Sequence, residues 1–260
     1  MSGGLTFVAL TAGGNHACGL TSSGAVYCWG NNGKGQLGNG VSGEHDGAAA
    51  ARFNAPVAVQ GGLTFVSVTA AGLHTCALTA GGAAYCWGNN TNPELGDGTT
   101  NDASSPVLVS GGQLFTSVTA GSDHTCGLTS GGSAYCWGNG TFGAMGNGTW
   151  TGSVTPVAVS GGFSFASLSS AAYSTCGLTA SGAVYCWGQN SNGQLGNGST
   201  TDANAPVAVS GGLTFASLAA GGMHVCGRTT DGAIYGWGFN WYGQLGIGSR
   251  VDSSTPVRIQ

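Results

Sequence analysis

Residues 111–160 read GGQLFTSVTAGSDHTCGLTSGGSAYCWGNGTFGAMGNGTWTGSVTPVAVS, and this stretch decides the fold. It divides into LFTSVTAG, HTCGLT, a turn SGG, SAYCWGN, a glycine-rich loop closing on GNG, and PVAV. Each short segment is rich in Val, Thr, Tyr, Phe or Trp and is bounded by Gly, Ser or Pro. No window shows the 3.6-residue period of a helix, so four short strands are expected.

The same text recurs along the whole chain. Cys18, Cys76, Cys126, Cys176 and Cys226 follow one another at intervals of 58, 50, 50 and 50 residues, the first stretched by an eight-residue insertion around Glu44 to Phe53. Five units result, at 3–60, 61–110, 111–160, 161–210 and 211–260, in a single domain spanning 1–260. One four-stranded sheet cannot bury both of its faces, whereas sheets stacked around an axis can. The fold expected is therefore all-β, a five-bladed β-propeller of four-stranded blades. The chain finishes on Pro256-Val257-Arg258-Ile259, so closure by pairing of the N- and C-terminal strands into a composite blade, giving a monomeric ring, is the accompanying expectation.

The segment from His124 through Cys126, Leu128, Gly132, Tyr135 and Trp137-Gly138 to Gly146 resembles the repeat of the regulator of chromosome condensation family. HACGLTSSGAVYCWGNNGKGQLG from His16 and STCGLTASGAVYCWGQNSNGQLG from Ser174 carry the resemblance most fully, and it extends over all five units. It implies a propeller of four-stranded blades used as an interaction platform. Known members include a chromatin-binding exchange factor for a small GTPase, a bacterial inhibitor of β-lactamases and a plant ultraviolet photoreceptor, so the fold carries little functional information. The chain departs from the usual seven blades and lacks a basic tail. No residue of the exchange factor's GTPase-facing loop is carried over. Trp29, Trp87, Trp137, Trp187 and Trp237 sit in the repeat's own WG signature and are expected to pack between blades.

Nine cysteines include four pairs ten positions apart: Cys18 with Cys28, Cys76 with Cys86, Cys126 with Cys136, and Cys176 with Cys186. If Ser22-Ser23-Gly24 is a three-residue turn with glycine left-handed, residues whose numbers sum to 46 face each other across the hairpin. Cys18 then opposes Cys28, and Leu20 opposes Val26 on the same face. Disulfides are expected, with buried free thiols as the alternative; zinc is disfavoured because its paired ligands normally stand two to four residues apart. In the fifth unit Gly236 replaces the second cysteine, leaving Cys226 single. Four disulfides suit an oxidising compartment, extracellular or periplasmic, with the cytoplasm as alternative. Paired cysteines also give the repeat a bacterial character, and Met1-Ser2-Gly3-Gly4 shows no secretory signal.

Composition narrows the function classes. Glycine supplies 52 residues, charged residues 5% and apolar residues 41%, with a net charge of −4. The charges are scattered singly with no basic stripe, which disfavours nucleic acid, and no apolar run approaches a bilayer span, which disfavours membrane insertion. Nearly every polar residue belongs to a fivefold series, whereas catalysis needs a singular constellation. No enzyme, metal or cofactor is expected. A histidine ring at His16, His74, His124 and His224 and an Asp series at Asp102, Asp202 and Asp252 are read first as structural, satisfying backbone and capping loops.

The informative positions are those where units disagree. Just before the histidine phase stand Asn15, Leu73, Asp123, Tyr173 and Met223, and a second track after WG holds Gly33-Lys34, Thr91-Asn92, Thr141-Phe142, Ser191-Asn192 and Trp241-Tyr242. Tyr173, Met223, Trp241, Tyr242, Phe142 and Trp150 are the candidate ligand or partner contacts. The expectation is a non-enzymatic binding scaffold for a protein or glycan. The alternatives are a multivalent lectin and an exchange factor or chromatin binder.

Overall fold

The computed structural model describes residues 4–43 and 52–259, so most of the expected insertion lies outside the described residues. Five antiparallel sheets of four strands follow one another in chain order. The third is typical, with strands Phe115–Ala120, His124–Thr129, Ala134–Gly138 and Ser153–Ala158 from the inside outward. Helix is confined, among the described residues, to one 3-10 turn at Thr141–Gly143. Proline falls in each outer strand, as at Pro156, where a missing N–H costs no ladder bond on the free edge.

The hairpin register follows the sum rule. Cys18 faces Cys28, Gly19 faces Tyr27 and Leu20 faces Val26, with Gly24 left-handed at φ 82°. The same register sets Cys76 opposite Cys86, Cys126 opposite Cys136 and Cys176 opposite Cys186. All four expected disulfides are present. The sulfur-to-sulfur distances are 2.08 Å for Cys18 to Cys28 and 2.11 Å each for Cys76 to Cys86, Cys126 to Cys136 and Cys176 to Cys186. The alternative of buried free thiols is therefore set aside at Cys28, Cys86, Cys136 and Cys186 and at their partners. Beyond the third-strand cysteine the ladder slips between Cys136 and Gly138, and the bulge turns Trp137 into the interface. Gly138 has φ 109°, and a Cβ there would stand 2.6 Å from the Asp123 carbonyl, so no larger residue fits the bulge.

Blades join through apolar clusters built from two units at once. In one, Cys126, Leu128, Cys136 and Met145 of the third blade pack against Phe165 and Trp187 of the fourth. Cys76 and Cys86 of the second blade lie in the same way against Phe115 and Trp137 of the third, and Cys176 and Cys186 of the fourth against Phe215 and Trp237 of the fifth. A further cluster joins first to second. Trp87, Trp137, Trp187 and Trp237 are fully buried, which confirms the packing role expected for them.

The expected terminal pairing is not found among the described residues. The first blade uses its own Ala9–Ala12, His16–Leu20, Val26–Asn31 and Arg52–Ala58, and the last strand, Ser253–Arg258, pairs with Ile234–Gly238 of its own unit. The reason is local: Val57 already lies opposite Cys28, so the first unit lacks no strand for Pro256–Ile259 to supply. Nor are the contacts that join successive blades repeated between fifth and first. Trp29 is half-buried and rests on Phe7 of its own blade, with ring centroids 5.9 Å apart, while Gly246 meets Ile259 where its counterparts Gly38, Gly96, Gly146 and Gly196 meet an indole.

Each disulfide lies under the next blade, at 0–1% exposure. Cys226, opposite Gly236, is the single free thiol and half-buried. Denaturation without reductant is expected to expose one alkylatable thiol, and denaturation with reductant all nine cysteines of the chain. Mass spectrometry reads both, and nine thiols without reductant would remove the disulfides.

Candidate functional site

The histidine series works as an inter-blade bolt. His16 Nε2 lies 2.8 Å from Thr75 Oγ1, His74 Nε2 2.9 Å from Thr125 Oγ1, and His124 Nε2 2.8 Å from Thr175 Oγ1. Thr75 donates its own proton to the Gln36 carbonyl at 2.9 Å, and the Trp87 indole N–H donates to that same oxygen at 3.0 Å. The Glu94 carbonyl receives Thr125 and Trp137 in the same way, at 2.9 and 2.8 Å. Because the Thr75 and Thr125 hydroxyls have given their protons to these carbonyls, they accept from Nε2–H of His16 and His74, which fixes those tautomers and leaves Nδ1 bare. Nδ1 of His16, His74 and His124 is buried without a partner. Burial pushes these imidazoles down to about 4, 3 and 4, with His16 and His124 adding repulsion on His74. The bolt thus reaches a hydroxyl of the next blade rather than the backbone groups expected from the sequence.

At the fourth interface both partners change together. Ser174 replaces histidine and Val225 replaces threonine, so no threonine hydroxyl is left without its imidazole partner. His224 of the fifth blade stands where the first unit would offer only Ala17, in keeping with the absence of a bolt between them.

Asp102, Asp202 and Asp252 cap loops, their Oδ1 atoms accepting the amides of Asn90, Asn190 and Asn240 at 2.8, 2.7 and 2.7 Å. Among the described residues, no group of three or more His, Cys, Asp or Glu is placed to hold a metal ion. The innermost strands surround a cavity of about 520 Å³ lined by Gly, Ala, Ser and Thr, such as Gly13, Thr119 and Ser170, with no charged side chain.

The two variable tracks meet on a loop face. The residue after each WG donates its amide to the residue before the histidine phase: Asn139 to Asp123 at 2.8 Å, Gln189 to Tyr173 at 3.0 Å, Phe239 to Met223 at 2.9 Å. The tracks are therefore neighbours in every blade. Between the third and fourth blades they touch by side chains, the Phe142 and Tyr173 rings lying edge to face at 5.7 Å. Phe142 is held at φ 63°, the sole non-glycine residue in the left-handed region among those described. Burial pushes the Asp123 carboxyl above the usual range, opposed in part by the nearby Asn139 side chain.

Of the other candidates, Trp150, Trp241 and Tyr242 are 54%, 66% and 82% exposed, and Met223 is half-buried. Tyr242 meets Phe239 edge to face at 6.0 Å, while Trp150 and Trp241 stand apart from these ring pairs. The sequence reading missed Phe239, although its signal is plain: Asn31, Asn89, Asn139 and Gln189 hold that place elsewhere.

Glu94 was also missed. It occupies the position of Gln36, Gln194 and Gln244, is 1% exposed, and accepts from Asn89 Nδ2 and, at 2.9 Å, from the Asn92 amide. Burial pushes its carboxyl up to about 7, with a smaller contribution from Asp123. With the folded value raised, the stability this group contributes is complete below its ordinary value near 4.5 and is lost as pH rises through 7. Glu94→Gln is expected to stabilise the protein by roughly 3 kcal/mol at pH 8 and to change little at pH 4.5. Denaturant midpoints at both pH values test this, and an equal shift at both would contradict it.

The model of the RCC1-like domain family matches residues 1–260. The human E3 ubiquitin-protein ligase HERC2 is 38% identical over 100 residues, 38% of this chain and 2% of the ligase. The Danio rerio protein RCC2 homolog is 37% identical over 90 residues, 34% of this chain and 17% of that protein. In structure the chain is similar to human WBSCR16, with TM-score 0.87 and 23% identity over 96% of this chain and 66% of that one. It is similar also to yeast RCC1 (Prp20) in its complex with Kap60, with TM-score 0.84 and 21% identity over 98% and 61%. The chain thus spans a small part of these curated relatives and under two thirds of either structure. Both curated relatives are animal proteins, against the bacterial character read from the paired cysteines. No helix among the described residues is long and apolar enough to cross a membrane.

Proposed function

Since the chain belongs to the RCC1-like domain family, we propose that it is a non-enzymatic protein-interaction scaffold, acting in an oxidising compartment, extracellular or periplasmic. The observation that carries this reading is the division of labour between repeated and unrepeated residues. Histidine, threonine, tryptophan and aspartate of the repeats are spent on bolts and loop caps, while Phe142 and Tyr173 meet on the loop face with no part in either. Trp150, Trp241 and Tyr242, exposed on the loops, are offered as further contacts for the partner. Yeast RCC1 (Prp20), whose structure is similar, is seen bound to Kap60. Four buried disulfides support the compartment.

The test compares immobilised wild type with Phe142→Ala/Tyr173→Ala and Trp241→Ala/Tyr242→Ala, alongside a glycan array. Proteins retained by wild type are expected to be lost at least tenfold in one of the pairs, with unchanged circular dichroism. Identical retention by all three forms would overturn the reading, and glycan signals abolished by the same substitutions would replace it with a lectin.

A further inference from the structure

The charges of the chain are not evenly spread between blades. Units two to four, residues 61–210, contain no Lys or Arg, while Glu94, Asp97, Asp102, Asp123 and Asp202 lie within them. Most of these carboxylates are already engaged. Asp102 caps Asn90 and pairs with Lys34 at 3.3 Å, Asp202 caps Asn190, Asp97 binds Thr99, and Glu94 is buried. Asp123 is different. It is half-buried on the loop face, its backbone carbonyl accepting the Asn139 amide at 2.8 Å, and the Asn139 side chain accepts the Thr141 amide at 2.8 Å, one residue before Phe142. Phe142 leans edge-on to Tyr173 across the blade junction. One carboxylate therefore shares a loop system with two aromatic rings, in a unit whose sequence carries no Lys or Arg. A cation over an aromatic face gains from the ring quadrupole, more so when partly desolvated, and a neighbouring carboxylate adds charge and a hydrogen bond.

We infer that Asp123, Phe142 and Tyr173 form a seat for a Lys or Arg side chain presented by a basic segment of a partner protein. This rests on the scaffold reading above and names the partner chemistry of that face. Phe142 keeps a left-handed backbone that asparagine or glycine would adopt more easily, in a loop where the second and fourth units carry Asn92 and Asn192.

The test titrates capped Gly-Arg-Gly-Arg-Gly and Gly-Glu-Gly-Glu-Gly peptides into the isotopically labelled protein, followed by amide chemical shifts. Saturable shifts are expected at residues 123, 139–143 and 173 with the arginine peptide alone. Asp123→Asn and Phe142→Asn are each expected to weaken it about tenfold, whereas Asp231→Asn, which removes a like charge from the hairpin turn of the fifth blade, leaves it unchanged. Equal response to both peptides, or an arginine affinity indifferent to Asp123→Asn, would overturn the assignment. Should the arginine peptide fail while the paired alanine variants still lose a protein partner, the scaffold reading stands and the basic-segment assignment falls.

Discussion

Acidification from pH 7 to pH 4.5 is expected to remove a large part of the protein's stability. His16, His74 and His124 are neutral in the folded chain, with values near 4, 3 and 4, and each regains an ordinary value of 6.5 on unfolding. With the folded values depressed, their stabilising contribution is complete above 6.5 and is lost as pH falls toward the folded values. Linkage puts that loss at about 7 kcal/mol for the three together by pH 4.5, while protonation of Glu94 returns about 3 kcal/mol over the same range. The histidines win, and the net loss of about 4 kcal/mol compares with a total stability of roughly 5–15 kcal/mol for a folded domain. Denaturant titrations at pH 7, 6 and 4.5 read the effect. Replacing the third bolt by the pair found at the fourth interface, His124→Ser with Thr175→Val, is expected to remove about a third of the histidine loss. A flat profile between pH 7 and 4.5 would show that the imidazoles are not buried as described.

Refolding under reducing conditions is expected to fail or to give a far weaker fold. Each disulfide closes a hairpin of sequence separation 10. On the chain-entropy account each contributes about 3 kcal/mol and the four together roughly 11 kcal/mol, less whatever structure the reduced hairpins retain. Because the sulfurs lie beneath the following blade, reductant alone is expected to act slowly on the native protein and quickly once it is unfolded. Thermal melts after unfolding and refolding with and without reductant measure the difference. Coincident melts would mean that the disulfides contribute nothing beyond packing.

Much of this architecture could be read from the chain because the repeat writes it five times. The ten-residue cysteine spacing with a glycine turn fixes the hairpin register from Cys18 and Cys28 through to Cys176 and Cys186, and the tryptophan of the WG signature marks the interface in units two to five. The terminal pairing misled because a strand ending the chain looks like a missing partner, whereas Pro56–Val57 already fills that role in the first unit. The bolt from histidine to the next blade's threonine links residues 51 apart in the sequence, as His74 and Thr125 are. Its signal was the joint change to Ser174 and Val225, visible only when two phases are compared. The meeting of Phe142 and Tyr173 depends on how one blade sits against the next, which no single unit encodes. Glu94 and Phe239 each stood out in a polar series, but burial and ring contact gave them meaning only in three dimensions.

On the proposed function, repeated residues hold the blades together, and the residues that break the repeat are the ones that recognise a partner. The most direct test exchanges Asp123, Phe142 and Tyr173 together for asparagine, the residue that Asn15 and Asn192 supply at these phases in other units. Melting temperature within a few degrees of wild type with loss of partner and arginine-peptide binding is the predicted outcome. A collapsed melting temperature with binding intact would contradict it.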